Sequence, residues 1–389
     1  MIIVKKSLLF LLIVMAAGCS QSKQDGLPYI DASKNYPEKE IILTDIADIS
    51  YLRINSDSDD YLYSGSIRSI TKNTIVIYDR SSGSVLFFSK EGNPKSRFNR
   101  RGNGPEEYYD AVHIIYDEIT DDVFVSDMRK DFIQVYSSTG EYKRKITLAG
   151  TRVGTIFSID EQLLFVYNSH AETMKNMGRL DRAHFSTEYK DSPFLLVSKT
   201  DGAIVDYMQL PQKGIALQAA SANGTSGIIP TRVIKCASGL LLCNPETDTV
   251  FLYDKNKSLN PVICKTPLVD ALDPMVILNN CVDVGRYQFM ELITLVIEDM
   301  EFPIKYYVRD KKAGEIFRQK LLLPDYKGKE FVIGPFRSNI NYENGTYFEL
   351  DLLELKQAYK ENKLSGKLKE LVATLKDDDN NVFVMVQFK

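Results

Sequence analysis

The sequence predicts an all-β chain folded as a six-bladed β-propeller, with a short helical insertion near the C-terminus. Two segments repeat without a gap at a period of 48 residues. Each is an alternating strand ending in Asp, a short turn, a second strand ending in an aromatic, and a Gly or Glu-Gly turn. Looser copies continue to the C-terminus, where Val382–Phe388 reads as a last strand. A repeat of ~40–50 residues with about four strands per unit marks propeller blades, because one small sheet cannot bury both faces and stacks on its neighbours around an axis.

The elements follow in chain order. Ile41–Ile46 reads as a strand with no unit of its own, and it is expected to pair with the C-terminal strand and close the ring, removing exposed edges. The first unit carries Thr74–Asp79 and Val85–Phe88, and the second Asp122–Asp127 and Ile133–Tyr136. The third pairs Leu163–Asn168 with Phe194–Val197 across an insertion near 170–193, and the fourth pairs Leu240–Asn244 with Val250–Tyr253. The fifth is read from Ile293–Glu298 and Lys305–Val308, the sixth from Gly345–Leu350 and Val382–Phe388. Units are expected to begin near residues 66, 112, 155, 228, 288 and 338. Dividing 41–389 by the period gives about seven, but the insertions favour six. Over 351–376, Leu352, Leu355, Tyr359, Leu364, Leu368 and Val372 space two short amphipathic helices broken near Ser365 and Gly366. They are expected to cover a sheet face or the ring closure, with a partner-binding helix as the sharper alternative.

Composition narrows the function classes. With 389 residues, 48 Lys+Arg against 52 Asp+Glu and 44% hydrophobic residues, the chain has material for a large core and is neither disordered nor a multi-span membrane protein. A net charge of −4 speaks against nucleic acid as a partner, since phosphate binding needs a basic surface. Lys5 and Lys6, an apolar run from Ser7 to Met15, and Ala16-Ala17-Gly18-Cys19 make a secretory leader. The domain expectation is therefore a signal peptide over 1–18, a lipidated Cys19 with a polar tether over 19–40, and one propeller over 41–389. Lipidation at Cys19 would anchor the chain to a membrane without spanning it, most simply the outer membrane, on its periplasmic or outer face. Cys236, Cys243, Cys264 and Cys281 remain; the compartment permits disulfides, but buried small hydrophobes on strands are the favoured reading.

The small-small-Cys ending resembles a bacterial lipobox. Together with the 48-residue units and the run Arg100-Arg101-Gly102-Asn103-Gly104-Pro105-Glu106-Glu107-Tyr108, it is similar to the six-bladed β-propeller lipoproteins of gut-type Gram-negative bacteria, relatives of the NHL-repeat propellers. In that group an Arg-x-Gly-x-Gly-Pro-x-Glu-Tyr run links the first two blades, and Asp379 to Lys389 resembles the group's ending. The resemblance spans nearly the whole mature chain and implies a fold and a cell-envelope location; it brings no activity.

Candidate sites are few. Arg100 to Tyr108 would form a loop at the channel mouth presenting Arg101, Glu106 and Tyr108 to a ligand, or else a blade-to-blade turn. Asp79, Asp127 and Asn244 end equivalent strands and could ring the axis and bind calcium, or else cap tight turns. Three histidines, His113, His170 and His184, show no metal-binding spacing, and no Gly-x-Ser-x-Gly elbow or phosphate loop is present. Without Trp, a sugar platform would need tyrosines such as Tyr61, Tyr63, Tyr108 and Tyr109. The expected function is a lipid-anchored extracytoplasmic binding or interaction module without a cofactor, with a glycan, a peptide or an envelope protein as partner. The alternative is a lactonase-like hydrolase or lyase with a metal on the channel axis.

Overall fold

The computed structural model describes residues 26–334 and 344–389, apart from 57, 128–129, 131, 149–152, 154, 168–193, 209, 211–217, 221–225, 229–230 and 299–300. The chain begins with β1 (Tyr29–Asp31), β2 (Glu38–Ile42), a one-turn helix α1 (Leu43–Ile46) and β3 (Ala47–Arg53). Blade one is β4 (Gly65–Ile70), β5 (Thr74–Asp79), β6 (Ser84–Ser89) and β7 (Pro94–Asn99). Blade two is β8 (Ala111–Asp117), β9 (Asp122–Asp127), β10 (Phe132–Tyr136) and β11 (Tyr142–Thr147). Blade three is β12 (Thr155–Ser158), β13 (Leu163–Tyr167), β14 (Phe194–Ser198) and β15 (Ile204–Met208), and a hairpin of β16 (Gln218–Ala220) and β17 (Ser226–Ile228) follows it. Blade four is β18 (Arg232–Cys236), β19 (Gly239–Cys243), β20 (Thr249–Asp254) and β21 (Leu259–Thr266). Blade five is β22 (Val276–Val284), β23 (Tyr287–Thr294), β24 (Ile304–Asp310) and β25 (Glu315–Leu322), with β26 (Glu330–Phe331) beside β25. Blade six contains β27 (Gly345–Leu350) and β28 (Val382–Phe388), and β3 joins it from the N-terminus. The architecture is a six-bladed β-propeller.

Local sequence explains the layers. β5, β9 and β13 are buried at every position because neighbouring blades cover both of their faces, so they read as continuous apolar runs. The outer strands β7 and β11 alternate between half-buried and exposed positions along most of their length and carry Lys and Arg, which blunt an edge against pairing with another chain. Blades four and five are blunted differently. β1 lies parallel along β21 and β2 parallel along β25, so the N-terminal segment covers both edges.

These strands correct two expectations. Ile41 and Ile42 do not meet the C-terminal strand; they pair with Leu321 and Leu322, and Leu43–Ile46 turns into α1. Closure falls to the next segment, β3, antiparallel to β28 from Ala47↔Phe388 to Arg53↔Val382. The apolar pattern of Ile41–Ile46 marked burial correctly but not which sheet supplies it. The polar stretch read as a tether to residue 40 also joins the fold from Tyr29, because Ile30 and Tyr36 are buried in the core between blades four and five. Residues 1–25, which hold Cys19 and the expected leader, lie outside the described residues, as does the insertion with His170 and His184.

Four blades start at 65, 111, 155 and 232, close to the expected 66, 112, 155 and 228. Blade five is the exception. It begins at Val276 rather than 288, its second strand is Tyr287–Thr294, and of the expected strand Ile293–Glu298 only the first two residues are in a strand. Its first two strands are nine and eight residues long and meet at a Gly285-Arg286 turn, longer than the first two strands of blades one to four, so the pattern that located the others does not fit it. The expected start of the sixth unit at 338 lies outside the described residues.

The helical insertion forms as expected: α2 (Leu352–Lys360) and α3 (Gly366–Ala373) flank a break at 361–365. Asp351 caps α2 by accepting a hydrogen bond from the Glu354 amide at 2.9 Å. Leu352, Leu355, Leu368 and Val372 bury against Leu321, Leu323, Val384 and Phe388, so the pair covers the junction of blades five and six.

Candidate functional site

Strand order places the first strand of each described blade beside the axis: β4 runs next to β8, β8 next to β12, and β18 next to β22. Register places the start of each first strand opposite the end of the second, as in Gly65↔Asp79, Ala111↔Asp127 and Arg232↔Cys243. One face of the ring, the connector face, therefore carries the links between blades and the strand-ending Asp79, Asp127 and Asn244.

The Arg100–Tyr108 link crosses this face. Its ends are tied by the Tyr108 amide to the Arg100 carbonyl at 3.0 Å and by the Gly102 amide to the Tyr108 carbonyl at 2.9 Å. Tyr108 is 0% exposed, which corrects the expectation that it faces a ligand. Its ring stands edge-on to Tyr78 and Tyr136, and its hydroxyl donates to the Gly83 carbonyl at 2.6 Å. Burial holds that hydroxyl well above the ordinary tyrosine range. Gly83 has φ +83°, and an added Cβ there would lie 2.5 Å from the Arg101 side chain, which runs over it. Arg101 then donates to the carbonyls of Arg80 and Ser81 at 3.2 and 3.0 Å. Glu106 keeps an exposed side chain while its carbonyl accepts from the Tyr136 hydroxyl at 2.8 Å. Tyr108 and Arg101 thus brace the junction of blades one and two; the Arg101 and Glu106 side chains are exposed, and Arg101 is held by the two carbonyls.

The strand-ending residues cap turns or hold a link. Asp79 accepts from the hydroxyls of Ser81 and Ser82 at 2.6 and 2.9 Å and from the Ser81 amide. Burial would raise its carboxyl, but these bonds hold it below the usual carboxylate range. Asp127 accepts from the Tyr109 amide at 2.6 Å, and Asn244 from the Glu246 amide at 2.9 Å. Among the described residues no group of three or more His, Cys, Asp or Glu could hold a metal ion. The axial ring of oxygen ligands is therefore not formed by Asp79, Asp127 and Asn244: Asp79 and Asn244 cap the turns that follow them, and Asp127 holds the amides of Tyr109 and Asp110 in the link between blades one and two. The tyrosines separate too: Tyr61 and Tyr63 pack on Phe88, whereas Tyr108 packs on Tyr78 and Tyr136. Cys243 is a core residue between blades four and five, and Cys236 packs at its margin, as expected for small hydrophobes.

Near the axis lies a set of polar side chains that the sequence reading did not single out. Ile67 faces Ile77 and Ser69 faces Val76, so Arg68 is the extra residue of a β-bulge in β4. Its guanidinium carbon lies 5.8 Å from the Tyr78 ring centre, and its buried Nε has no hydrogen-bond partner. Burial pulls Arg68 below the ordinary guanidinium value, opposed by Tyr347 of blade six and Tyr78. A similar shift of register at residue 112 precedes His113, whose Nε2 is 3.2 Å from the Thr155 hydroxyl of blade three. Burial, then the Arg68 charge, lowers the His113 imidazole to about 4, so it is neutral at pH 7. Blade five contributes Asn279 on β22 and, directly opposite on β23, Glu291; both are 0% exposed. Asn279 Nδ2 donates to Glu291 Oε1 at 3.1 Å, leaving Asn279 Oδ1 and Glu291 Oε2 without partners. Burial pushes the Glu291 carboxyl up to about 7, against the Asn279 hydrogen bond and the Arg232 charge of blade four. The Thr346 hydroxyl of blade six is likewise buried and unpartnered. A buried polar atom without a partner costs about 1–3 kcal/mol and is uncommon. Arg68, Asn279 and Thr346 lie on the first strands of their blades and Glu291 on the strand beside; other such atoms, on Arg53, Gln134 and Tyr253, lie elsewhere in the fold.

A cavity of about 340 Å³ opens on the connector face where blade six meets blade one, lined by Tyr63, Gly65, Glu349 and Asp378 among others. Most of its polar wall is structural: Asp379 pairs with Arg53 at 3.1 Å, and Asn380 Nδ2 donates to the Tyr61 carbonyl at 3.0 Å. No helix of the described residues is long and apolar enough to cross a membrane.

Residues 19–194 match the family DUF5128, described as a 6-bladed beta-propeller. Among solved structures, the chain is similar to an exported protein of Bacteroides fragilis, at 15% identity and a TM-score of 0.63, covering 93% of this chain and 99% of that one. This likeness shows the same fold. It also aligns with a DUF4221 protein of Bacteroides vulgatus at 11% identity and a TM-score of 0.47, covering 88% and 97%. A virginiamycin B lyase of Staphylococcus aureus follows at 9% identity and a TM-score of 0.39, covering 86% and 83%, a likeness too distant to inform function. No curated protein matches the chain.

Proposed function

We propose that this six-bladed β-propeller is an extracytoplasmic binding module, held to the membrane through a lipid on Cys19, that takes a small polar ligand at its hub. The observation that carries the reading is the set of buried polar atoms without protein partners on Arg68, Asn279, Glu291 and Thr346, contributed by blades one, five and six. A ligand that satisfied them would recover part of the desolvation cost they carry in the free protein. The leader with its lipobox-like Ala16-Ala17-Gly18-Cys19 and the exported relative of the same fold support the location. The hydrolase alternative has no supporting observation once Asp79, Asp127 and Asn244 are engaged in turns and a link.

The test is thermal unfolding of the chain from Ser20, which contains every described residue, against glycans, peptides and divalent metals, with a chelator control. A ligand at 100 times its dissociation constant adds roughly 2.7 kcal/mol, a visible shift in midpoint. The expected result is a shift by a polar small molecule that survives chelation and is lost in Asn279→Ala. A shift only with metal, removed by chelator, would contradict the reading. For the anchor, Cys19→Ser is expected to move the expressed protein from the membrane to the soluble fraction.

A further inference from the structure

We infer that Arg68 anchors an oxyanion, so that the hub ligand carries a carboxylate, phosphate or sulfate group. The inference rests on the hub-binding reading and names the chemical class of what binds there. A guanidinium has five N–H donors and no way to become neutral at physiological pH, so a half-buried one ordinarily meets a carboxylate or several carbonyls. Arg68 meets neither: no described residue hydrogen-bonds or ion-pairs with it, and its buried Nε is unpartnered. The carboxylate that influences it, Asp110, is already taken by Arg80 at 2.6 Å. Its guanidinium lies over the Tyr78 ring, which engages a cation through the ring face and leaves N–H donors open for a planar or tetrahedral oxyanion.

The backbone points the same way. In a regular ladder, residue 68 would take its place in the alternation of β4; as the extra residue of a bulge it is re-aimed on the strand beside the axis. Groups from three blades reach it, with Tyr347 of blade six, Tyr78 of blade one and His113 of blade two all within electrostatic influence. His113 is neutral with its Nε2 engaged with Thr155, and Arg80, which also acts on Arg68, is paired with Asp110, so the uncompensated positive charge at this point is that of Arg68.

Titration calorimetry on the chain from Ser20 tests this with inorganic phosphate, sulfate and glucuronate, each against chloride at matched ionic strength, and with glucose as the neutral counterpart of glucuronate. Saturable binding of at least one oxyanion is expected, weakened at least about tenfold in Arg68→Ala and partly retained in Arg68→Lys. Arg68→Met without ligand is expected to unfold at the same temperature as wild type or higher, since it removes a half-buried cation with no hydrogen-bond or ion-pair partner and keeps an apolar side chain over the Tyr78 ring. Equal oxyanion affinity in wild type and Arg68→Ala would overturn the inference, as would a lower unfolding temperature in Arg68→Met, which would make the cation structural. Glucose binding that ignores Arg68→Ala but is lost in Asn279→Ala would overturn the oxyanion and leave the binding module standing. No response to any of these probes, nor to the wider ligand panel, would overturn both.

Discussion

Glu291 is buried and His113 half-buried near the axis, yet desolvation moves their proton affinities in opposite directions. Glu291 titrates at about 7 in the fold, whereas an unfolded Glu titrates near ~4.3. The native state keeps a proton that the unfolded chain releases, so this group makes stability fall as pH rises through that window, by at most about 1.4 kcal/mol per pH unit. His113 titrates at about 4 in the fold against ~6.5 unfolded, so the unfolded chain takes up a proton first and stability falls as pH drops through that window. Urea unfolding at stepped pH should separate them: Glu291→Gln steepens the acid loss, and His113→Gln reduces it. A profile unchanged by Glu291→Gln would mean that this carboxyl is solvated. Tyr108→Phe addresses the link between blades one and two. It strands the Gly83 carbonyl and should cost about 1–3 kcal/mol while leaving ligand affinity unchanged. A loss of affinity without a loss of stability would return Tyr108 to the binding site.

The N-terminal strands act at the level of elements. β7 and β11 carry their own edge protection in Pro94, Lys95 and Arg97 and in Lys143, Arg144 and Lys145. β21 and β25 are shielded by β1 and β2, which bury Ile30 and Ile41. A chain starting at Leu43 should therefore keep β3 and the ring closure but expose two strand edges. The expectation is a lower unfolding temperature and self-association on light scattering; a monodisperse monomer of unchanged stability would show that these strands are dispensable. Periodicity made the blades legible because β5 and β9 repeat the same buried pattern one period apart, and β13 and β19 repeat it again at less regular distances. The closing strand was misplaced by one segment because Ile41–Ile46 and Ala47–Arg53 are both apolar at alternating or near-alternating positions, and sequence alone does not say which sheet covers which.

Taken as a molecule, the propeller leaves polar atoms of Arg68, Asn279, Glu291 and Thr346, on strands of blades one, five and six, without hydrogen-bond partners. The family-like link and the strand-ending acids drew attention in the sequence because they are unusual locally, and both proved to be joints. The hub residues are unremarkable locally: Arg68 is one charge in Gly65–Ile70, and Glu291 one carboxyl inside the apolar Tyr287–Thr294. Their importance comes from a bulge and from blades that are distant in sequence, neither of which a linear pattern displays. The most direct test is a high-resolution crystal structure of the chain from Ser20 grown with glucuronate or phosphate. Density is expected for the oxyanion bonded to the Arg68 guanidinium, with Asn279 and Glu291 satisfied by ligand or ordered water. Arg68 turned away from Tyr78 into an ion pair with a protein carboxylate, and a hub closed by protein alone, would contradict this expectation.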